Sequence, residues 1–394
     1  MKKMAESVLG LDIGASKIAA VVCELPQANE VLIRGVGRSA TAGLSHTGVV
    51  DEESLSQSVM RAVQRAIRVS SVKPSKVVVG LPTSGARFVV NSGVVSIQNN
   101  AGVVTADDLQ LCIGRAMHVV RDSHEIMLHG SPVEMRLDGR PVEDPVGKAG
   151  RQLEVTVRLI FSDQALVDSV TRIVKNLGFH VAGLSYDQFG GGASCLSDAE
   201  RQYGALLIDI GGSWAQASVF QKGTLAYGVV LPIGGSRIGK DIAHCLRISI
   251  AEAERIKVKY GHVLPLSIPD GEIIPGLVGE GGVKDVRRRV LSEIMRARMR
   301  ETLLLIRKKI QHLDISGMPV VFSGGSSAIP GLGILASEIF ESPVRLGIHP
   351  QFQHTIRNPE DHVAVGVVLY GMKTGAIQVV PSEVTGGWWQ RFVK

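Results

Sequence analysis

The chain has 394 residues, with 43 Lys plus Arg against 37 Asp plus Glu for a formal charge of +6, which is length for about two to four domains with sizeable cores. At 45% hydrophobic and 20% charged residues, general disorder is excluded, and no run of about 18 apolar residues supplies a membrane-spanning helix. The dispersed basic residues, with three Trp and five Tyr, exclude an extended nucleic-acid surface. The opening MKKMAESVLGLDIG has no continuous apolar stretch before Asp12, so no secretory leader is expected. Cys23, Cys112, Cys195 and Cys245 are scattered and form no CxxC pair, which fits a reducing cytoplasm better than a metal or disulfide framework.

Taken in chain order, Ser7–Ile13 predicts a buried strand that runs into Gly14-Ala15-Ser16-Lys17 and a second apolar run, Ile18–Val22. Together they make a hairpin with a polar, basic tip. Glu53–Val69 carries Leu55, Val59, Val63, Ala66 and Ile67 at helical spacing. Val77–Gly80, Phe88–Ile97 and Leu153–Ile160 predict strands around a region of turns and a short helix near Asp107–Val120, an inserted α+β module. Ser162–Leu177 predicts a helix closed by Gly178.

Leu206–Ile210, Gly211-Gly212-Ser213 and Ala215–Phe220 then repeat the first hairpin, with Asp209 at the place of Asp12. Lys284–Leu313 predicts one long helix with Val290, Ile294, Met295, Met299, Leu303, Leu304, Ile306 and Ile310 along one side. Pro319–Phe322 followed by Ser323-Gly324-Gly325-Ser326-Ser327 predicts a strand whose Gly/Ser turn opens a helix. A repeat at half the chain length predicts a duplicated α/β architecture with a site between the halves.

The glycine turns carry the chemistry. Without a Cβ, backbone N–H groups approach a phosphate closely, and two opposed hairpins grip a phosphate tail from either side. Lys17 adds a point charge, Ser16 and Ser213 add hydroxyl donors, and Asp12 and Asp209 hold a hydrated Mg²⁺, an ion that needs few protein carboxylates. Ser323–Ser327, read as a helix start, offers further N–H groups and a flat glycine surface to a nucleoside.

The last segment, GGWWQRFVK, is amphipathic if helical: Trp388, Trp389, Phe392 and Val393 share one side, and Gln390, Arg391 and Lys394 take the other. Aromatics flanked by cations suit the headgroup boundary of an anionic membrane. One such peptide is too short to bind firmly, but many on one filament gain ~10²–10⁴ through effective concentration.

LGLDIGASKI, LLIDIGGSWAQASVF and VVFSGGSSAIPGL resemble the phosphate-1, phosphate-2 and adenosine segments of the actin/sugar-kinase superfamily. GVGRSATAGLSHTGVVD, VVVGLPTSGARFVVNSGVVSI, DPVGKAGRQLEVTV and AEAERIKVKYG extend the resemblance over almost the whole chain to one branch, the bacterial cell-division actin homologues of the FtsA family. The resemblance implies an α/β, actin-like (ribonuclease H-like) duplicated two-domain ATPase fold with an inserted α+β subdomain. The implied subdomains are 1A (1–82 plus 163–203), 1C (83–162), 2A (204–244 plus 314–373) and 2B (245–313), with a short linker and membrane-targeting segment at 374–394.

It also implies ATP with Mg²⁺ as ligand, held by Asp12, Gly14, Ser16 and Lys17 in phosphate-1 and by Asp209, Gly211, Gly212 and Ser213 in phosphate-2. Glu254 and Lys257 approach the adenosine, Gly324, Gly325 and Ser326 close its pocket, and Gly234, Gly235 and Asp241 lie beside the nucleotide. The implied role is polymerisation on the cytoplasmic face of the inner membrane at the septum. There the protein anchors FtsZ through its C-terminal peptide and recruits later division proteins, with no nucleic-acid partner. The peptide would dock around residues 245–312, where seven Arg of Lys284–Gln311 make a plausible face for acidic residues.

Three departures from the family pattern stand out. Trp214 follows Ser213 where a small residue is usual, so it either crowds the turn or packs under it. Asp187, one methylene short, stands where a water-orienting group is expected, so nucleotide binding is a stronger expectation than fast hydrolysis. Gly190-Gly191-Gly192 should loosen the connecting helix at ~1 kcal/mol per interior glycine. A PilM-like pilus-assembly scaffold and a sugar kinase share the motifs. The aromatic tail argues against the first, and the lack of a further acidic motif for a sugar pocket argues against the second.

Overall fold

The computed structural model describes all residues except 1–5, 27–30, 46–47, 83–85, 100, 280, 349, 353–354, 357 and 375–394. Trp388, Trp389, Phe392 and Val393 therefore lie outside the described residues.

Strand β1 (Glu6–Ile13) pairs antiparallel with β2 (Lys17–Leu25). Both faces of this hairpin are covered. Leu9, Leu11 and Ile13 point to one side with Ile18, Ala20 and Val22, while Val8, Ala19, Val21 and Cys23 point to the other. A strand buried on both faces reads as a continuous apolar run, and this one does. β3 (Leu32–Ala40) extends the sheet, and a short hairpin, β4 (Leu44–Ser45) and β5 (Gly48–Val49), leads to α1 (Glu52–Ser70). The Asp51 carboxylate caps α1 by accepting from the N–H groups of Glu53 and Ser54. β6 (Lys76–Leu81) then pairs parallel with β1.

The insert follows. It comprises β7 (Arg87–Ser96), α2 (Ala106–Met117), β8 (Glu125–Leu137), β9 (Arg140–Pro141) and β10 (Gln152–Asp163). Its four-stranded sheet runs β7-β10-β8-β9, with α2 on one face. β8 replaces what the sequence suggests to be turns. Gly130, Ser131 and Pro132 break its alternation, and the ladder shifts register near there, opposite Thr156 and Val157.

After the insert, α3 (Gln164–Asn176) and β11 (His180–Tyr186) complete a sheet ordered β11-β6-β1-β2-β3, and α4 (Asp187–Cys195) leaves it for the second half. That half contains α5 (Asp198–Tyr203), β12 (Ala205–Ile210), β13 (Ala215–Gln221), β14 (Thr224–Leu231), α6 (Gly235–Leu246) and α7 (Ile250–Tyr260). Next come β15 (Ile273–Gly279), β16 (Gly282–Arg287), α8 (Arg288–Ile310), β17 (Val320–Ser323), α9 (Leu332–Phe340), β18 (Val344–Leu346) and α10 (His362–Thr374). The second sheet is ordered β14-β13-β12-β17-β18. It reproduces the first in kind: three antiparallel strands, then two parallel ones.

Two helix readings change. The predicted Lys284–Leu313 helix starts only at Arg288, because Gly282–Arg287 pairs with β15. Its buried face is Leu291, Met295, Met299, Leu303, Ile306 and Ile310, while Val290 and Leu304 are partly exposed. Nor is its arginine row an open basic face: Arg288, Arg289, Arg296, Arg298 and Arg307 pair with Glu272, Asp270, Glu338, Asp241 and Glu341.

The glycines of α4 do not loosen it. The helix is buried along its whole length and lies against α10, which returns from the second half to cover the first sheet. A Cβ on Gly190 would stand 2.7 Å from Val367 Cγ1, and one on Gly366 would stand 2.8 Å from Ser194 Oγ. The small residues are there to let two helices touch.

Candidate functional site

Each sheet ends in the same device. Gly14 N–H donates to the Lys17 carbonyl at 3.0 Å, and Gly211 N–H donates to the Trp214 carbonyl at 3.0 Å, so the two turns close identically and Trp214 is the counterpart of Lys17. The tryptophan is buried and lines the cleft. Asp12 pairs with Ala19 and Gly80 in register, and Asp209 pairs with Gln216 and Ser323. Ser323 Oγ donates to Asp209 Oδ2 at 2.6 Å.

The two turns face each other across a cleft of about 530 Å³, within the usual range for small-molecule sites. Asp12, Gly14, Ser16, Lys17, Asp187, Asp209, Gly211, Gly212, Gly235, Glu254, Lys257, Gly324, Gly325 and Ser326 all line it. Ser213 and Gly234 do not. Gly234 sits behind the second turn, where a Cβ would stand 2.7 Å from the Gly211 carbonyl oxygen. Asp241 is engaged elsewhere, pairing with Arg298 to hold α6 on α8. The Ser323–Ser327 segment is a 3-10 turn over Gly325–Ala328, not a helix start: α9 begins only at Leu332, behind Gly331. Gly324 adopts φ +82°, which glycine tolerates at least cost, and Ser327 Oγ donates back to its carbonyl at 2.7 Å.

The start of α6 is tied to the second turn. Gly235 N–H and Ser236 N–H donate to the carbonyls of Gly211 at 2.8 Å and Gly212 at 2.9 Å. Lys257 pairs with Glu254 and donates to the Gly235 carbonyl at 2.9 Å, so α7 braces the same corner. Ser236, Lys240, Gln216 and Glu360 also line the cleft, and the sequence motifs assign none of them a role there. Register offered a signal for Gln216, which sits opposite Asp209; Ser236 and Lys240 follow the glycine pair at helical spacing. No local signal marks Glu360.

The electrostatics invite a cation. Burial pushes the Asp12 carboxyl up to about 8, with Lys17 opposing and Asp187, Asp209 and Asp361 adding to the rise. Asp209 is also raised by burial, against the Ser323 hydrogen bond and Lys17. Like charges confined without water favour protons or a metal ion. Asp187 is buried beside them and accepts from Gln216 Nε2 at 3.0 Å, while the buried Gln216 Oε1 accepts no hydrogen bond among the described residues. Glycine turns, a free carbonyl acceptor and paired half-buried carboxylates fit a hydrated Mg²⁺ carrying phosphate.

The molecule is thus an actin-like protein: a duplicated ATPase fold with a cleft between equivalent glycine hairpins and an inserted four-stranded module. Solved structures share this fold, including the PilM-PilN type IV pilus biogenesis complex (TM-score 0.65, 17% identity, covering 94% of this chain and 99% of that one). Another is MreB5 of Spiroplasma citri bound to ADP (TM-score 0.57, 11% identity, covering 94% and 97%). A family model described as cell division protein FtsA matches residues 206–366, and one described as the SHS2 domain inserted in FtsA matches residues 84–161. Cell division protein FtsA of Pseudomonas aeruginosa is 29% identical over 93% of this chain and 89% of its own length. That of Bacillus subtilis is 28% identical over 95% and 85%. The chain belongs to the FtsA family of cell-division proteins.

Proposed function

We propose that this chain binds ATP with Mg²⁺ between its two hairpins, self-associates into filaments on the cytoplasmic face of the cell membrane at the septum, and there anchors FtsZ and recruits later division proteins. The observation that carries the reading is the pair of matched glycine turns flanked by half-buried Asp12 and Asp209, both carboxyls raised. Asp12 and Asp209 would hold the hydrated ion, which neutralises phosphate charge when bound. The amides and hydroxyls of the two turns would orient the phosphate chain, and Glu254, Lys257 and Gly324–Ser326 would flank the nucleoside.

Asp187 would orient water. Its carboxylate already accepts from Gln216, so slow turnover is expected beside firm binding.

Two neighbours support the reading at the level of fold: the ADP-bound MreB5 supports nucleotide binding, and the MamK double helical filament (TM-score 0.51, 12% identity, covering 92% of this chain and 98% of that one) supports assembly. The four subdomains 1A, 1C, 2A and 2B at the boundaries given above are part of the proposal. So is attachment through Trp388, Trp389, Phe392 and Val393; no helix among the described residues is long and apolar enough to cross a membrane. A pilus-scaffold role rests on fold likeness alone.

The test has two arms. Fluorescent ATP should bind the purified chain in a Mg²⁺-dependent manner and lose affinity in Asp12→Ala. The chain should also pellet with anionic vesicles, and should recruit FtsZ polymers to them, only while Trp388 and Trp389 are intact. A folded chain that takes up no purine nucleotide overturns the cleft reading, and vesicle binding unchanged in Trp388→Ala/Trp389→Ala overturns the tail.

A further inference from the structure

Lys17, the single cation at the tip of the first hairpin, is engaged. It donates to the backbone carbonyl of Glu360 and pairs with Glu360 Oε2 at 3.5 Å and Asp361 Oδ1 at 3.8 Å. These acids precede α10 and lie more than 340 positions away in sequence. They are not equivalent. Asp361 is buried and is gripped by Arg38, whose Nε donates to Oδ1 at 2.7 Å while Nη2 reaches Oδ2. Its charge stays compensated whether or not Lys17 is present.

Glu360 is partly exposed and lines the cleft. Besides Lys17 it meets Arg38 at 3.5 Å. On the other side, its Oε2 lies 3.6 Å from where a Cβ on Gly325 would stand. The carboxylate therefore sits between the cation of one half and the Gly/Ser turn of the other, inside the space lined by both phosphate turns.

We propose that Glu360 is a built-in competitor for the phosphate end of the nucleotide, holding the Lys17 ammonium until a more highly charged phosphate group draws it away. The inference rests on the nucleotide reading above and adds its control: Glu360 is a positioning residue that sets affinity according to ligand charge. A carboxylate beside a polyanion repels it, and each added phosphate meets more of that repulsion in a site with restricted water. Asp361 does not share this role, because Arg38 already neutralises it.

The test is a set of titrations of the full chain with fluorescent ATP, ADP and adenosine in Mg²⁺ buffer, comparing the wild type with Glu360→Gln. The amide keeps the shape and leaves the backbone carbonyl that Lys17 uses. Glu338→Gln, in an exposed pair with Arg296 outside the cleft, changes net charge equally and serves as the control. Glu360→Gln should tighten ATP on the order of tenfold and ADP less, should leave adenosine unchanged, and should lose this advantage as salt is raised. Glu338→Gln should match the wild type. ATP affinity that is equal or weaker in Glu360→Gln, or a gain of the same size for adenosine, overturns the competitor role and leaves the nucleotide reading intact. A wild type that binds none of the three overturns both.

Discussion

The Ser16 hydroxyl, at the tip of the first hairpin, occupies the space that a Cβ on Gly212, at the tip of the second, would need. The two turns that flank the cleft touch at this one point, with no room for a further side chain, so glycine at that tip is a condition for the halves to close. Gly212→Ala should hold the tips apart and weaken Mg-ATP binding on the order of tenfold while leaving the melting temperature nearly unchanged. Adding Ser16→Gly should recover most of the loss. A titration in which the double variant binds no better than Gly212→Ala counts against the clash.

The contact of α4 with α10 makes a separate claim about stability. Gly366 faces the Gly190 backbone, and a Cβ there would stand 2.5 Å from the Gly190 carbonyl carbon. Gly366→Ala should destabilise the fold by about 1–3 kcal/mol, the usual range for overpacking, even though alanine is the better helix former. Chemical denaturation would show it as a lower midpoint at unchanged slope. An unshifted or higher midpoint means that the helices separate freely.

Asp12 sets a pH dependence. Its carboxyl is raised from 3.8 to about 8 by burial, so the folded state binds the proton that the unfolded state releases. The penalty for ionising it is absent below about pH 4 and grows as pH rises toward about 8. Asp12→Asn should therefore melt several degrees higher than the wild type at about pH 8, free of nucleotide, while binding Mg-ATP more weakly. Equal melting temperatures across that range would show that the carboxyl titrates normally.

His129 has the opposite sign. The ring lies between the insert and the first half, 4.3 Å from the Phe189 ring and 3.3 Å from the Tyr370 hydroxyl. Burial, helped by Arg158, lowers it from 6.5 to about 4. Between those values the unfolded chain binds the proton, so its contribution to stability is complete above about pH 6.5 and is lost as pH falls. His129→Gln should flatten the fall in melting temperature between about pH 7 and about pH 5, and thermal melts with identical slopes would reject this.

The sequence by itself determined what is local. A β-branched run, an Asp, a Gly turn and a second run, written twice at half the chain length, fix both hairpins, the places of Asp12 and Asp209, and hence the position of the cleft. Strand period and turn chemistry act over a few residues, so they can be read directly. Only the tertiary structure decided what crosses long separations. It turned Gly190–Gly192 from a weak helix into close packing, Gly190 against α10 and Gly191 and Gly192 against Leu207 and Phe220, made β8 out of a stretch broken by Pro132, and began α8 after a strand instead of at Lys284. It also set Gln216 on Asp187 and brought Glu360 to Lys17. Those partners are chosen by how two sheets and a returning helix stack, and such packing leaves no period or motif along the chain.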